Sequence, residues 1–173
     1  VTYLRHAPRH LRRTLIDRVS GRLVDLGWTT TPPLGAQPLQ ILTRRVRESE
    51  QIPAEANMVG IYFGEETDEA EVELGGGLSS VTTRMVCDVI AANDTYGLAI
   101  SSDIKDCLTG RAPGFSRVFR LRDYTTDQAG VPRDDHMIEI LEVTRARPEQ
   151  TEARMWWQVV VAQVELVMAG GDS

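Results

Sequence analysis

Lysine is almost absent from this 173-residue chain: of 19 basic side chains only Lys105 is a lysine, and the rest are arginine. A bias so complete points to a GC-rich genome, since neither solubility nor heat resistance selects against lysine. Cysteine is scarce as well. Cys87 and Cys107 are too few for a disulfide framework, and they read as reduced, buried thiols of a protein assembled in a cytoplasm. No apolar run approaches the roughly 20 residues that cross a bilayer, so no membrane partner is expected. Arg5, His6, Arg9, Arg12 and Arg13 lead into no apolar segment of a signal peptide. Internal repeats and low-complexity tracts are missing too.

What is present is an ordinary globular composition, 42% hydrophobic and 25% charged, enough to build one core in a single domain over 1–173. The net charge of −6 hides an asymmetry. Residues 1–50 hold nine arginines against four acids, whereas residues 51–100 hold one arginine against nine acids. Opposed charge on two parts of one small domain suits self-association or docking on charged partners, and the plain alternative is two solvated faces. The candidate interface or lumen residues are therefore Arg9, Arg12, Arg13, Arg18 and Arg22 on one side. On the other stand Glu65, Glu66, Asp68, Glu69, Glu71 and Glu73.

Hydrophobic periodicity predicts a helix over 8–27, where Leu11, Leu15, Val19, Leu23 and Leu26 recur every three or four residues and Gly27 is a stop. Pro32, Pro33, Gly35 and Pro38 exclude any helix in the next ten residues. Apart from a short extended piece at 39–46, residues 29–57 read as an extended loop region, long enough to suggest that a partner subunit orders it. From Met58 the pattern turns to strands: 58–64, 71–74 and a longer one over 80–91. Asn93 or Asp94 caps a second helix over 94–109, whose stripe of Gly97, Ile100, Ile104, Cys107 and Leu108 implies close packing on a sheet. Three more strands follow at 115–124, 137–146 and 154–168, the last apolar on both faces for much of its length. The expected fold is α+β: a mixed, mainly antiparallel sheet over 58–168 packed against two helices, in the order α-β-β-β-α-β-β-β.

Motifs for chemistry are weak. Gly75-Gly76-Gly77-Leu78-Ser79-Ser80 lacks the lysine of a phosphate loop and leads into a strand. His6 and His10 lack further ligands for a structural zinc, and Asp134-Asp135-His136 reads as a solvated loop. No nucleophile elbow is present, and Cys87 alternates inward on its strand. No catalytic, metal or cofactor residues are assigned, and no enzyme activity is expected. Helix-turn-helix, RNA-recognition and zinc-finger patterns are also absent, and the pI is near 5.1.

Several stretches resemble the tail terminator proteins of long-tailed phages. They are the first helix ending in Leu26-Gly27-Trp28, then Ile52-Pro53-Ala54-Glu55-Ala56-Asn57-Met58-Val59-Gly60-Ile61, and Glu73-Leu74-Gly75-Gly76-Gly77-Leu78 before a long strand. Next come Asp88-Val89-Ile90-Ala91-Ala92-Asn93-Asp94, the helix ending Ile104-Lys105-Asp106-Cys107-Leu108-Thr109-Gly110-Arg111, and a C-terminal strand containing tryptophan. They cover most of the chain in the family's order; residues 29–50 and 125–135 match nothing in it. The resemblance implies a structural virion protein at the head-proximal end of the tail. It would form a hexameric ring that caps the finished tube, stops its polymerisation and joins it to the head connector. The implied partners are further copies of the chain, the major tail tube protein and a connector or stopper protein, with genomic DNA passing through the lumen unbound. The alternatives are another neck protein, such as a stopper or head-completion protein, or a small enzyme without a legible motif.

Overall fold

Two long strands form the middle of the molecule, and both are legible as alternating apolar runs. In the computed structural model, which describes residues 7–47, 52–53, 55–64, 70–74, 78–146, 149–150 and 155–169, β4 (Leu78–Ala91) lies antiparallel to β8 (Trp156–Ala169). They pair without a break from Leu78 opposite Ala169 to Ala91 opposite Trp156. At roughly 3.3 Å per residue this ladder is about 45 Å long.

The other strands add outward from it. β2 (Asn57–Phe63) and β3 (Ala70–Leu74) share the far edge of β4, with β2 against residues 85–90 and β3 against 78–82. They are collinear, one strand interrupted by 64–69. β1 (Leu39–Leu42) runs parallel to β2, and every other pairing is antiparallel. On the opposite side β6 (Val131–Arg145) and the two-residue β7 (Glu149–Gln150) line β8, and β5 (Val118–Asp123) closes the sheet. The order is β1-β2-β4-β8-β6-β5.

Both helices, α1 (Ala7–Asp25) and α2 (Asp94–Thr109), cover one face of this sheet. α1 contributes Leu11, Leu15, Val19 and Leu23, and α2 contributes Ile100, Ile104, Cys107 and Leu108. They meet Ile61, Met85, Cys87, Val89, Leu121, Ile138, Val160, Ala162, Val164 and Leu166 from the strands. Each such side chain, taken fully out of water, stabilises by roughly 1.5–3 kcal/mol. A Cβ on Gly97 would already touch that of Ala91 at 3.5 Å, so the small residue sets how closely α2 lies on the sheet. Asn93 caps α2 by accepting from the Tyr96 amide at 2.9 Å, and Gly110 ends it at φ 77°. Trp28 ties the helices together, donating its indole N–H to Asp103 at 2.8 Å.

Three expectations need correction. The first helix ends at Asp25 rather than residue 27, and the extended piece at 39–46 pairs only over Leu39–Leu42. β6 begins at Val131, six residues early, because Pro132 and the charged Arg133, Asp134 and Asp135 lie in a two-stranded part of the sheet. The described parts of 29–57 are also tied to the rest of the chain. The Leu39 amide donates to the Trp28 carbonyl at 2.8 Å, and the buried Asn57 bridges the Gln37 carbonyl and the Ala92 amide. Val46 packs with Met58, Ile90 and Met155 in a second small core on the other face of the sheet.

That second core sets a testable constraint. The backbone at Arg44 to Val46 crosses so close over Gly60 that an added Cβ would lie 2.7 Å from the Arg44 carbonyl oxygen and 2.9 Å from Val46 Cγ2. Gly60→Ala should therefore lift this crossing and cost about 1–3 kcal/mol in urea denaturation. An unchanged midpoint would show that the crossing is not held there.

Candidate functional site

A residue and the one four places on share a flank of a helix. Arg18 and Arg22 accordingly face β5, while Arg12 lies on the other flank of α1, 5.3 Å from the centre of the Phe63 ring. Arg13 stacks over Tyr124 at 4.2 Å and donates to the Gln128 carbonyl at 2.7 Å, and Arg9 is exposed. The five arginines thus fall on several sides of the helix.

Between α1 and β5 runs an open groove of about 510 Å³, lined by Arg18, Arg22, Arg120, Arg122, Phe115 and Phe119, with Asp17 and Asp25 also on its wall. Arg18 donates from Nη2 to the carbonyls of Cys107 at 3.2 Å and Ser116 at 2.5 Å, and its guanidinium sits 3.8 Å from the Phe119 ring centre. Arg22 lies over Phe115 at 5.4 Å. The Nε atoms of both are buried without a hydrogen-bond partner, and burial pulls the Arg18 pKa below its ordinary value. Arg122 donates to the carbonyls of Ala129 and Gly130. Among the described residues, Arg18, Arg22 and Arg122 have no carboxylate partner; Arg120 meets the exposed Asp134 at 3.1 Å.

The edge beside this groove is closed to further strands. Thr14 Oγ1 accepts from the Arg122 amide at 3.1 Å, and His10 Nδ1 accepts from the Tyr124 amide at 3.1 Å. The edge amide of Arg122 in β5 and that of Tyr124 just past its end are therefore satisfied by side chains of α1.

Of the acidic candidates, Glu65, Glu66, Asp68 and Glu69 lie outside the described residues. Glu71 and Glu73 are in β3, opposite Val81 and Ser79, on the β4 edge farthest from β5. The structure does not bring Glu71 and Glu73 together with the groove of the same chain. Sequence reasoning missed Phe115, Phe119, Arg120 and Arg122. The alternation Phe119-Arg120-Leu121-Arg122 carried the signal, an edge strand with cations on its open side.

The open face of the sheet holds a second feature that the sequence did not single out. Asp88, only 3% exposed, accepts from the Trp157 indole at 3.4 Å, and its Oδ2 is buried with no hydrogen-bond partner. Burial raises its pKa, against the opposing pull of Trp157, Arg45 and Tyr62. Farther along the same face stand Val118 and Met137, 45% and 36% exposed, and Leu141 at the β6 bulge is 46% exposed.

Asp134, Asp135 and His136 separate. Asp134 goes to Arg120, while Asp135 takes two bonds from Arg133, at 3.0 and 2.9 Å, and lies 2.7 Å from His136 Nδ1. The Arg133 bonds hold the Asp135 pKa well below the carboxylate range. His6 lies outside the described residues, among which no group of three or more His, Cys, Asp or Glu is arranged to hold a metal. Burial raises both thiols, Cys107 to about 12, so neither is a ready nucleophile.

No family model and no curated protein matches this sequence. Among solved structures it is similar to a chain from the "Virion of native gene transfer agent (GTA) particle", at 13% identity and a TM-score of 0.48. The match covers 95% of this chain and 99% of that chain. A likeness of that size establishes neither fold nor function.

Both the groove and the buried carboxylate can be probed by stability. Arg18→Met keeps the stem over Phe119 but leaves the Cys107 and Ser116 carbonyls without their donor, and should cost about 1–3 kcal/mol in thermal or urea unfolding. Asp88 has a folded pKa above its unfolded value, so its ionised form opposes folding above the carboxylate range and stops doing so as pH falls through it. Asp88→Asn should therefore melt higher than wild type at neutral pH, with the gap closing in acid. A lower melting temperature at neutral pH would mean that the charge is compensated.

Proposed function

We propose that this chain is a structural virion protein, a tail terminator that assembles into a ring on the finished tail tube and joins it to the head. The observation that carries the reading is the resemblance of its stretches, in their order along the chain, to that family. They fall on α1, the entry into β2, the β3–β4 hairpin, the β4–α2 junction and β8.

The physical layout is what such a role needs. One face of the sheet is buried under both helices, while the other presents Val118, Met137 and Leu141 to solvent. Exposed apolar side chains gathered on a sheet face are characteristic of protein contacts. Rings close through heterologous contacts, in which one patch meets a different patch on the next copy. A chain with its arginines and its acids on separate parts meets that requirement. An acidic run of this density, if it faced the lumen, would keep passing DNA from adhering.

Deleting the gene from its phage provides the test. Tails should then grow to uncontrolled length and fail to join heads, and purified protein should give rings of six in electron micrographs. Tails of normal length that still fail to join would favour a stopper or head-completion role. Unaltered, infectious virions would refute a part in the tail altogether.

A further inference from the structure

We infer that the groove between α1 and β5 is the socket for the acidic run Glu65-Glu66-Thr67-Asp68-Glu69 of a second copy of the chain. The inference rests on the self-association that the proposed function requires and adds the two surfaces that meet.

The groove sets four arginines against two acids, Asp17 and Asp25. Arg18, Arg22 and Arg122 have no acidic partner among the described residues, and aromatic rings hold Arg18 and Arg22 in place. Guanidinium groups lying on rings and partly stripped of water lose little further freedom on meeting an anion. Four carboxylates in five residues are the densest anionic stretch of the sequence.

The sheet keeps the two apart within one subunit. Residues 65–69 join β2 to β3 on one edge of β4, and β5 forms the opposite edge of the sheet. Four strand spacings separate β3 from β5, about 19 Å at roughly 4.8 Å each for a flat sheet. Register places them at the same height. One cross-sheet row runs Glu71, Val81, Leu166, Ile138 and Phe119, and the next runs Ala70, Thr82, Glu165, Glu139 and Val118. β3, which follows the acidic run directly in sequence, thus begins at the far end of rows that enter the groove wall at Phe119. A neighbour placed side by side presents its acidic edge to this socket, and repetition gives a head-to-tail series. Backbone pairing is not the contact, because Thr14 and His10 already occupy amides of the β5 edge.

The test uses the full-length chain and two variants. Arg22→Glu/Arg120→Glu reverses the socket, and the rescue by mixing guards against any loss of fold at the partly buried Arg22. Among the described residues Arg22 lies over Phe115 without an ion pair, and the Arg120 pair with Asp134 is solvent-exposed. Glu66→Arg/Asp68→Arg reverses the plug. By sedimentation velocity each variant alone should assemble with a dissociation constant raised roughly tenfold or more. A one-to-one mixture should regain wild-type assembly, because each mutant plug then finds the complementary mutant socket, and unfolded chains could not give that rescue. Two variants that assemble like wild type, or a mixture that fails to recover, would overturn the assignment. Closed wild-type rings indifferent to both reversals would keep the ring and discard this contact. Open wild-type chains with full rescue by mixing would keep the contact and discard the ring, and a wild type that stays monomeric would discard both. A labelled oligothymidylate whose binding is lost in the socket variant, without any effect on assembly, would reassign the groove to nucleic acid.

Discussion

Everything in this molecule hangs on the unbroken ladder between β4 and β8. Fourteen consecutive pairings without a bulge make a rigid bar, and each other strand is placed by its register against it. The alternation of side chains along the bar separates an inner face of Val81, Met85, Cys87 and Val89 from an outer face carrying Asp88 and Ile90. A one-residue slip would exchange the two faces. The fully buried hydrophobic set on the inner side makes that slip prohibitively unfavourable.

The irregularities lie outside the bar, on the strands next to it, and each has a local cause. The bulge in β6 between Ile140 and Glu142 coincides with Arg117, whose guanidinium takes the carbonyls of Ile140 and Leu141. This leaves Leu141 facing solvent. The interruption between β2 and β3 coincides with the acidic run. Of the buried polar side chains on the central strands, Gln158 is bonded where α2 faces it, whereas the Thr83 hydroxyl is buried without a hydrogen-bond partner. Gln158 accepts from Ser101 of α2 and donates to the Ala146 carbonyl.

Elements with a strong period were legible in the sequence. α2 matches its expected span to the residue, since Asn93 and Gly110 give it chemically definite ends. The inward setting of Cys87 followed from plain alternation. The start of β6 was not legible because Pro132, Asp134 and Asp135 have a turn composition, and only the tertiary pairs with Arg120 and Arg133 make it a strand. Most of 29–57 read as loop because parallel pairing of so short a strand as β1 leaves almost no local pattern. On the surface, the arginines of α1 were legible as a group, but their division between two flanks was not. The groove needed β5, half a sequence away, and no spacing rule connects Arg18 with Arg122. The buried setting of Asp88 was not legible either, since its surroundings of Trp157, Tyr62 and Arg45 come from three other segments.

The collinearity of β2 and β3 has a consequence for how such a protein can change over generations. The ladder on β4 resumes at Thr82 after breaking off at Met85, whatever is inserted between Phe63 and Ala70. That interval can lengthen, shorten or change sign without moving a single pairing of the central bar. Selection on the identity of a neighbour can therefore act on an insert that is uncoupled from selection on folding. Related chains should keep the bar and diverge fastest there, with compensating substitutions appearing far away in sequence, on α1 and β5.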